Sequence, residues 1–249
     1  MPTRLSSSIT WKKLHQHQKE IVTSSLCELF STSNQRAHSF SLEAAGLHLD
    51  YSKNLITKDT LDLFQSLAQE LNFDATRKSL REGEPINHTE NRPALHTALR
   101  DKHSTPIYVK DSNISDEISS AKKQMAAFVK QLHQGKALGG SGKIIRDVVN
   151  IGIGGSYLGP KMVVEALTPY QQNTVQCHFV ANIDGSEITE TLKKLNPETT
   201  LFIVASKSFG TQETLHNAIA AREWICQHPQ LKTSVDKHFV AVSSNICRR

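Results

Sequence analysis

The sequence has no long apolar segment, no paired cysteine motif and no internal repeat. No apolar run reaches the roughly 18 residues that a membrane-spanning helix needs, and the N-terminus shows no apolar core of a signal peptide. The four cysteines (Cys27, Cys177, Cys226 and Cys247) form no CxxC pair. We therefore expect reduced thiols in a cytoplasmic protein, with no membrane partner.

Blocks of like charge are also missing. The 249 residues carry a net charge of +5, and the longest basic runs are pairs such as Lys12-Lys13 and Lys122-Lys123. Pairs of this kind are typical of solvated faces, so the sequence predicts no nucleic-acid partner. His15 and His17 are two apart on a predicted helix, where exposed imidazoles are a simpler interpretation than a metal pair. No metal site and no cofactor are predicted.

The first 112 residues predict a mainly helical segment. Apolar spacing of three to four residues indicates one helix over 11–30 and another over 57–71, the latter capped by Thr60 or by its rival Thr57. Residues 39–56 alternate and predict two short strands. Residues 82–100 predict an extended start and then a helix, in which Arg92 and His96 would share a face. That pair suggests either a basic site or capping and surface ion pairs.

Residues 113–249 predict a separate α/β domain. An amphipathic helix over 113–135 leads through the glycine-rich KALGGSGK segment into alternating strands and helices. Strands are predicted at 147–152, 176–182, 200–205 and 238–243, and helices at 159–168, 186–195 and 212–227. Near-continuous apolar strands in this rhythm predict a doubly wound parallel sheet with helices on both faces. Because no helix follows the last strand, we expect the domain to be truncated at its C-terminus and weakly ordered there.

A glycine-rich loop follows the strand at 147–152. A dinucleotide-binding fingerprint would require glycine where Tyr157 stands, and a P-loop would require lysine where Pro160 stands. The loop therefore predicts a smaller anion site, in which Gly154 and Gly155 allow close backbone approach and Ser156 supplies a hydroxyl.

A second polar loop follows the strand at 200–205. Ser206, Ser208 and Thr211 offer hydroxyl groups, and Lys207 offers a positive charge. Thr211 opens a helix whose first N–H groups are unpaired donors. Ordinary turn chemistry with N-capping would explain either loop alone. Two such loops on neighbouring parallel strands favour a shared phosphate site.

The same segments resemble the glucose-6-phosphate isomerase (phosphoglucose isomerase) family, which is built on sugar-isomerase (SIS) domains. The resemblance is carried by NIGIGGSYLGP at 150–160, VASKSFGTQETLHNA at 204–218, GEPINHTENRPALHTALR at 83–100 and SLEAAGLHLDYSKNLI at 41–56. It runs over essentially the whole chain, in the order of the N-terminal half of the family.

The resemblance implies isomerisation of glucose 6-phosphate to fructose 6-phosphate through an enediol, without a cofactor, in a homodimer of the complete form. It also implies that the sugar phosphate is held by Gly155, Ser156, Ser206, Lys207, Ser208 and Thr211. Glu213 matches a glutamate close to the active site, or is a first-turn residue that favours the helix dipole.

The chain also departs from the family pattern. Tyr157 replaces the usual aspartate, while Ser208 and Gly210 replace threonines. The base, the ring-opening histidine, a lysine, an arginine and a Gly-Gly-Arg-Tyr-Ser-like block of the second half have no match here. Because a missing base removes about 10²–10⁴-fold of rate, we expect a phosphate-binding half without the proton-transfer chemistry. A sugar-phosphate sensor and a non-folding fragment of a disrupted gene are the alternatives.

Overall fold

The computed structural model describes residues 5–100, 106–172 and 174–244. The chain forms two compact units, residues 1–119 and 120–249, and the boundary falls within one long helix. The first unit is mainly helical with two small hairpins, and the second is a parallel sheet flanked by helices. The predicted α/β class with a helical N-terminal segment is confirmed.

The first unit contains short helices and two antiparallel hairpins. Its helices are α1 (Ile9–Ile21), α2 (Leu26–Ser31), α3 (Arg36–Ser39), α4 (Lys58–Glu70) and α5 (Phe73–Glu82). Its strands are β1 (Ser41–Ala44), β2 (Leu47–Asp50), β3 (Tyr108–Val109) and β4 (Ser112–Asn113), paired as β1–β2 and β3–β4. The two strands predicted within 39–56 are thus confirmed, whereas α5 and the second hairpin were not anticipated.

The single helix predicted over 11–30 is wrong, because a new helix begins inside it. Ser25 accepts a hydrogen bond from the Glu28 N–H while the Glu28 carboxylate accepts one from the Ser25 N–H, which forms a capping box. This pair starts α2 after the chain has left α1. The rivalry at the start of α4 is also resolved, since Thr57 is the N-cap and Thr60 completes its box.

The helix predicted to follow the extended start of 82–100 is largely wrong. Asn87 and Arg92 instead form an isolated antiparallel bridge, and only Ala98–Arg100 make a short 3₁₀ turn. Arg92 and His96 therefore do not share a helix. The helical residues lie earlier, in α5, which ends at Gly83 in the left-handed conformation that glycine favours (φ 82°).

Two charged side chains stabilise the first unit. The Glu70 carboxylate accepts hydrogen bonds from the Ile9 and Thr10 N–H groups, both at 3.1 Å, and so caps the start of α1 from the end of α4. The Arg36 guanidinium is buried and donates to the carbonyl oxygens of Ser52, Asn54 and Ile56 at 2.9–3.0 Å. Arg36 thus supplies hydrogen-bond donors to three carbonyl oxygens of one loop.

The second unit is built around a four-stranded parallel sheet. Its strands are β5 (Asp147–Ile151), β6 (Gln176–Val180), β7 (Thr200–Ala205) and β8 (Phe239–Val242), in the order β6-β5-β7-β8. Its helices are α6 (Ile114–His133), α7 (Gly155–Ala166), α8 (Gly185–Leu192) and α9 (Gln212–Cys226). The first residues of α6 belong to the first unit. The predicted strands are confirmed within one or two residues at each end.

Alternate strand residues bury the two faces of this sheet in separate cores. Val149, Ile151 and Phe202 pack with residues of α8 and α9 on one face. Val148 and Leu201 pack with Leu132 of α6 on the other. This period of two, with both faces apolar, is why the strands read as near-continuous apolar runs.

A fully buried histidine closes the end of the sheet opposite the carboxyl ends of its strands. His238 Nδ1 donates to the Thr200 carbonyl oxygen at 2.7 Å, and His238 Nε2 accepts from the Gly140 N–H at 2.8 Å. The two partners fix the neutral Nδ1–H tautomer. A Cβ atom on Gly139 would lie 2.4 Å from the Glu198 carbonyl oxygen. The glycines of the KALGGSGK segment therefore allow the chain to pack closely enough for the Gly140 N–H to reach His238.

Candidate functional site

The two loops singled out from the sequence follow adjacent strands. Ile151 at the end of β5 pairs with Val204 near the end of β7, in parallel register. Both loops therefore leave the carboxyl edge of the sheet side by side, which is where open α/β sheets bind ligands. The expectation that these strands are neighbours is confirmed.

The first loop turns directly into a helix. Gly154 has φ 55° and ψ −123°, a conformation open to glycine, and α7 begins at Gly155. The prediction that the helix starts after Gly159 and Pro160 is wrong, because Pro160 lies inside α7. Gly155 and Ser156 are consequently first-turn helical residues. The Ser156 N–H donates to the Ile153 carbonyl oxygen at 3.1 Å, so Ser156 can contribute its hydroxyl group and Gly155 its N–H.

Asn150 compensates for that proline. Pro160 has no N–H and cannot donate to the Ser156 carbonyl oxygen four residues earlier. The Asn150 side-chain amide, on β5, donates to this oxygen at 2.9 Å instead. A side chain on Gly152 would approach the same oxygen to 2.7 Å, so the strand end and the helix start meet closely only with glycine there.

The second loop brings its hydroxyl groups together. Ser206 is buried, and its Oγ lies 3.4 Å from Thr211 Oγ1. The Ser208 hydroxyl accepts from the Gly210 N–H at 3.3 Å. Between them Phe209 has φ 52°, a strained value for a bulky residue. Strain of this kind is concentrated at functional sites.

Neither of the helices that follow these two loops, α7 and α9, is capped by its own N-cap side chain. Gly154 has none, and the Thr211 side chain makes no capping hydrogen bond to α9. By contrast, the Asp184 side chain caps α8 by accepting from the Ser186 N–H at 2.8 Å. The capping interpretation of Thr211 is therefore not supported, and its hydroxyl faces Ser206.

The remaining predicted residues lie on the same two loops. Lys207 and Ser208 are exposed, while Ser156 and Glu213 are half-buried, the latter in the first turn of α9. Arg92 and His96 lie in the first unit. Within the described ranges, no group of three or more His, Cys, Asp or Glu residues is arranged to hold a metal ion.

Three residues of this edge were missed from the sequence. The Thr214 hydroxyl is buried in the first turn of α9 and has no hydrogen-bond partner among the described residues. The Glu187 carboxylate accepts from the Ala181 and Asn182 N–H groups at 2.8 and 2.6 Å and so holds the loop after β6. Asn150 is the third. The sequence marks it only as a single amide side chain within an apolar strand.

Tyr157 forms a pair of its own beside the first loop. Its ring meets Phe179 edge-on at 6.2 Å, and Lys161 Nζ donates to its hydroxyl at 3.0 Å. The hydrogen bond to Tyr157, aided by the nearby charges of Glu165 and Glu187, raises the pKa of Lys161.

Comparison with known proteins agrees with these motifs. A family model described as phosphoglucose isomerase matches residues 50–248. A glucose-6-phosphate isomerase of Hahella chejuensis (strain KCTC 2396) is 52% identical over 239 residues, covering 96% of this chain and 43% of that protein. One of Marinomonas sp. (strain MWYL1) is 48% identical over 246 residues, covering 98% of this chain and 44% of that protein.

The fold agrees as well. The crystal structure of a glucose-6-phosphate isomerase from Chlamydia trachomatis D/UW-3/Cx matches with a TM-score of 0.79 at 26% identity, covering 98% of this chain and 46% of that chain. The chain therefore spans less than half the length of the relatives it matches. Because the family model covers most of the residues and the curated relatives align over nearly all of them, the chain belongs to the phosphoglucose isomerase family.

Proposed function

We propose that the two loops at the carboxyl edge of β5 and β7 bind the phosphate group of glucose 6-phosphate or fructose 6-phosphate. The observation that carries the proposal is that two helices, α7 and α9, begin on adjacent parallel strands without side-chain caps. The Gly155 N–H, the first-turn N–H groups of α9 and the two helix dipoles favour an anion. The hydroxyl groups of Ser206 and Thr211 lie 3.4 Å apart in the loop that joins β7 to α9.

The other donors have complementary roles. Lys207 supplies the positive charge, and the Ser156 and Ser208 hydroxyl groups add donors on either side. Gly155 has no side chain, and a Cβ built at that position would meet only open space, so its N–H is open to close approach. A doubly charged phosphate would in this way be held by neutral dipoles and one cation.

The reaction to which this binding belongs is aldose–ketose isomerisation. It moves a proton between adjacent sugar carbons through an enediol and needs a base close to those carbons. None of the phosphate-binding residues proposed above is that base, and Glu213 is a residue of the first helical turn. We therefore assign binding and orientation of the phosphate to this chain. The homodimer implied for a complete form remains a prediction.

Thermal unfolding in the presence and absence of fructose 6-phosphate tests the proposal. A chain that binds the ligand is stabilised by RT ln(1 + [L]/Kd), about 2.7 kcal/mol at a ligand concentration of 100 Kd. We expect a higher Tm with fructose 6-phosphate and no shift with fructose, which lacks the phosphate. If fructose 6-phosphate leaves the Tm unchanged, the result contradicts binding. If the chain shows no cooperative transition, the result favours the non-folding alternative.

A coupled assay then separates binding from turnover. We expect the 249-residue chain to bind the sugar phosphate. We do not expect it to isomerise glucose 6-phosphate at about 1–10³ per second, which is the usual range of enzymes. Binding without turnover would also be the behaviour of the alternative function, a non-catalytic sugar-phosphate sensor. Turnover within that range would show that this chain carries its own base.

A further inference from the structure

The segment after β8 holds the second loop through hydrogen bonds to a single carbonyl oxygen. The Lys207 carbonyl oxygen accepts from Ser244 Oγ at 2.8 Å, from Ser243 Oγ at 2.9 Å and from the Ser244 N–H at 3.2 Å. The neighbouring Ser206 N–H donates to the Val242 carbonyl oxygen at 3.0 Å. Three donors on one carbonyl oxygen exceed its two lone pairs, so this acceptor is fully engaged on the β8 side.

This attachment fixes the orientation of a peptide unit in the loop. The described peptide bonds are trans, so the N–H of Ser208 points opposite to the Lys207 carbonyl. The carbonyl is drawn toward the end of β8, which lies on the far side of β7 from β5. The Ser208 N–H is accordingly turned away from the end of β8, and β5 with its loop of Gly154, Gly155 and Ser156 lies on the opposite side of β7 from β8.

The orientation has an electrostatic consequence. A carbonyl oxygen turned toward a phosphate would repel it, whereas an N–H attracts it. The strained φ of 52° at Phe209, one residue further on, shows that the loop does not relax to an ordinary turn.

We propose that Ser243 and Ser244 are positioning residues of the phosphate site. By holding the Lys207 carbonyl they keep the Ser208 N–H directed toward the bound anion. Neither serine contacts the phosphate in this arrangement, and each acts through the main chain of the loop. The inference rests on the proposed phosphate binding at that loop.

The test uses the full chain and measures the affinity for fructose 6-phosphate by calorimetry. The variants are Ser243→Ala, Ser244→Ala and the double substitution. Each removes one hydroxyl donor, so the double variant should bind about tenfold or more weakly. Ser243→Thr and Ser244→Thr keep the hydroxyl group and should retain affinity. Ser66→Ala is the matched control, because its Oγ donates to the Asp62 carbonyl oxygen at 2.8 Å outside this unit.

The Tm without ligand identifies a merely structural role. We expect the double variant and Ser66→Ala to lower Tm by similar small amounts, with only the former losing affinity. If the wild-type chain binds and the double variant binds equally well, the positioning role is wrong while the proposed function stands. If the wild-type chain does not bind fructose 6-phosphate, both proposals are overturned.

Discussion

The side-chain amide of Asn150 donates a 2.9 Å hydrogen bond to the carbonyl oxygen of Ser156, in place of the N–H that Pro160 does not have. A central strand and the first turn of a helix are thereby joined at the first loop. The contact explains why a proline is accepted inside α7 and why an amide interrupts the apolar run of β5.

The first prediction follows from this bond. Asn150→Ala should lower the free energy of unfolding of the second unit by about 1–3 kcal/mol, because a partly buried acceptor loses its donor. Pro160→Ala restores a main-chain N–H, so the double variant should lose less than Asn150→Ala alone. Urea unfolding followed by the fluorescence of Trp224, in a Trp11→Phe background, measures this unit. If Asn150→Ala lowers the free energy of unfolding equally with and without Pro160→Ala, the hydrogen bond does not compensate for the proline.

The proposed phosphate donors give the second prediction. A hydrogen bond to a charged group is worth about 1.5–3 kcal/mol, so Ser206→Ala or Thr211→Ala should weaken fructose 6-phosphate binding about tenfold to a hundredfold. Lys207→Ala should do at least as much and reduce the salt dependence, whereas Lys194→Ala, an exposed control, should not.

The capping interpretation makes the opposite prediction for Thr211→Ala. It expects a loss of about 1 kcal/mol of stability with unchanged affinity. Since the Thr211 side chain makes no capping bond, we expect affinity to change and stability to stay nearly constant. Tm and affinity measured on the same three variants distinguish the two, and unchanged affinity in all three would end the phosphate-site proposal.

Glu70 provides the third prediction, a dependence on pH. The hydrogen bonds that it accepts from Thr10 first, and then from Ser8 and Ile9, lower its pKa from 4.5 to about 2. A carboxyl group with a depressed folded-state pKa stabilises fully above 4.5, and its contribution is lost as the pH falls toward 2.

Trp11 fluorescence in a Trp224→Phe background reports unfolding of the first unit. Between pH 6 and pH 3 its stability should fall less steeply in Glu70→Gln than in the unsubstituted chain. A carboxyl titration by NMR should give the low pKa directly. The same slope in both proteins would mean that Glu70 does not cap α1 in solution.

The buried Arg36 gives the fourth prediction. Arg36→Leu removes the donor to three loop carbonyls and should cost about 2 kcal/mol or more, since hydrogen bonds from charged groups are strong. Arg36→Lys should recover only part of this, because an ammonium group cannot reproduce the planar fork of a guanidinium. The measurement is again Trp11 fluorescence, and a full recovery by lysine would argue that charge alone matters.

Hydrogen exchange gives the fifth prediction. β8 pairs only with β7 among the described strands, and Val242 is 55% exposed, whereas Val149 and Ile151 of β5 are fully buried. The N–H groups of β8 should therefore exchange faster than those of β5. Equal protection of the two strands would mean that the β8 edge is covered in solution.

The sheet was predictable from the sequence because its signal is strong and local. Strands buried on both faces give apolar runs, and the βα rhythm leaves few topologies open. The predicted strand ends at 147–152 and 200–205 thus lie within one residue of Asp147–Ile151 and Thr200–Ala205. The first unit was less predictable, since apolar spacing over 11–30 continues through the capping box at Ser25 that divides the helix.

The two loops of the candidate site were recognisable from the sequence, whereas the contacts that support them were not. Serine, threonine and lysine after a strand predict an anion site by their chemistry. By contrast, Asn150 acts on a carbonyl six residues away, and Ser243 and Ser244 act on one that is 36 and 37 residues away. Contacts of that range have no local pattern. The start of α7 differs from the predicted one because Pro160, a residue favoured in the first turn of a helix, here lies inside the helix.

The order of the strands also determines when the sheet forms on the ribosome. Asp147 of β5 pairs with Gln176 and with Thr200. At about 5–20 residues per second, the partner on the β7 side emerges some 3–10 seconds after β5. During this interval the nascent chain exposes one edge of β5, a situation that invites pairing with another chain. Chaperone capture of nascent chains in which β5 but not β7 has emerged from the ribosome should therefore exceed capture once β7 has emerged.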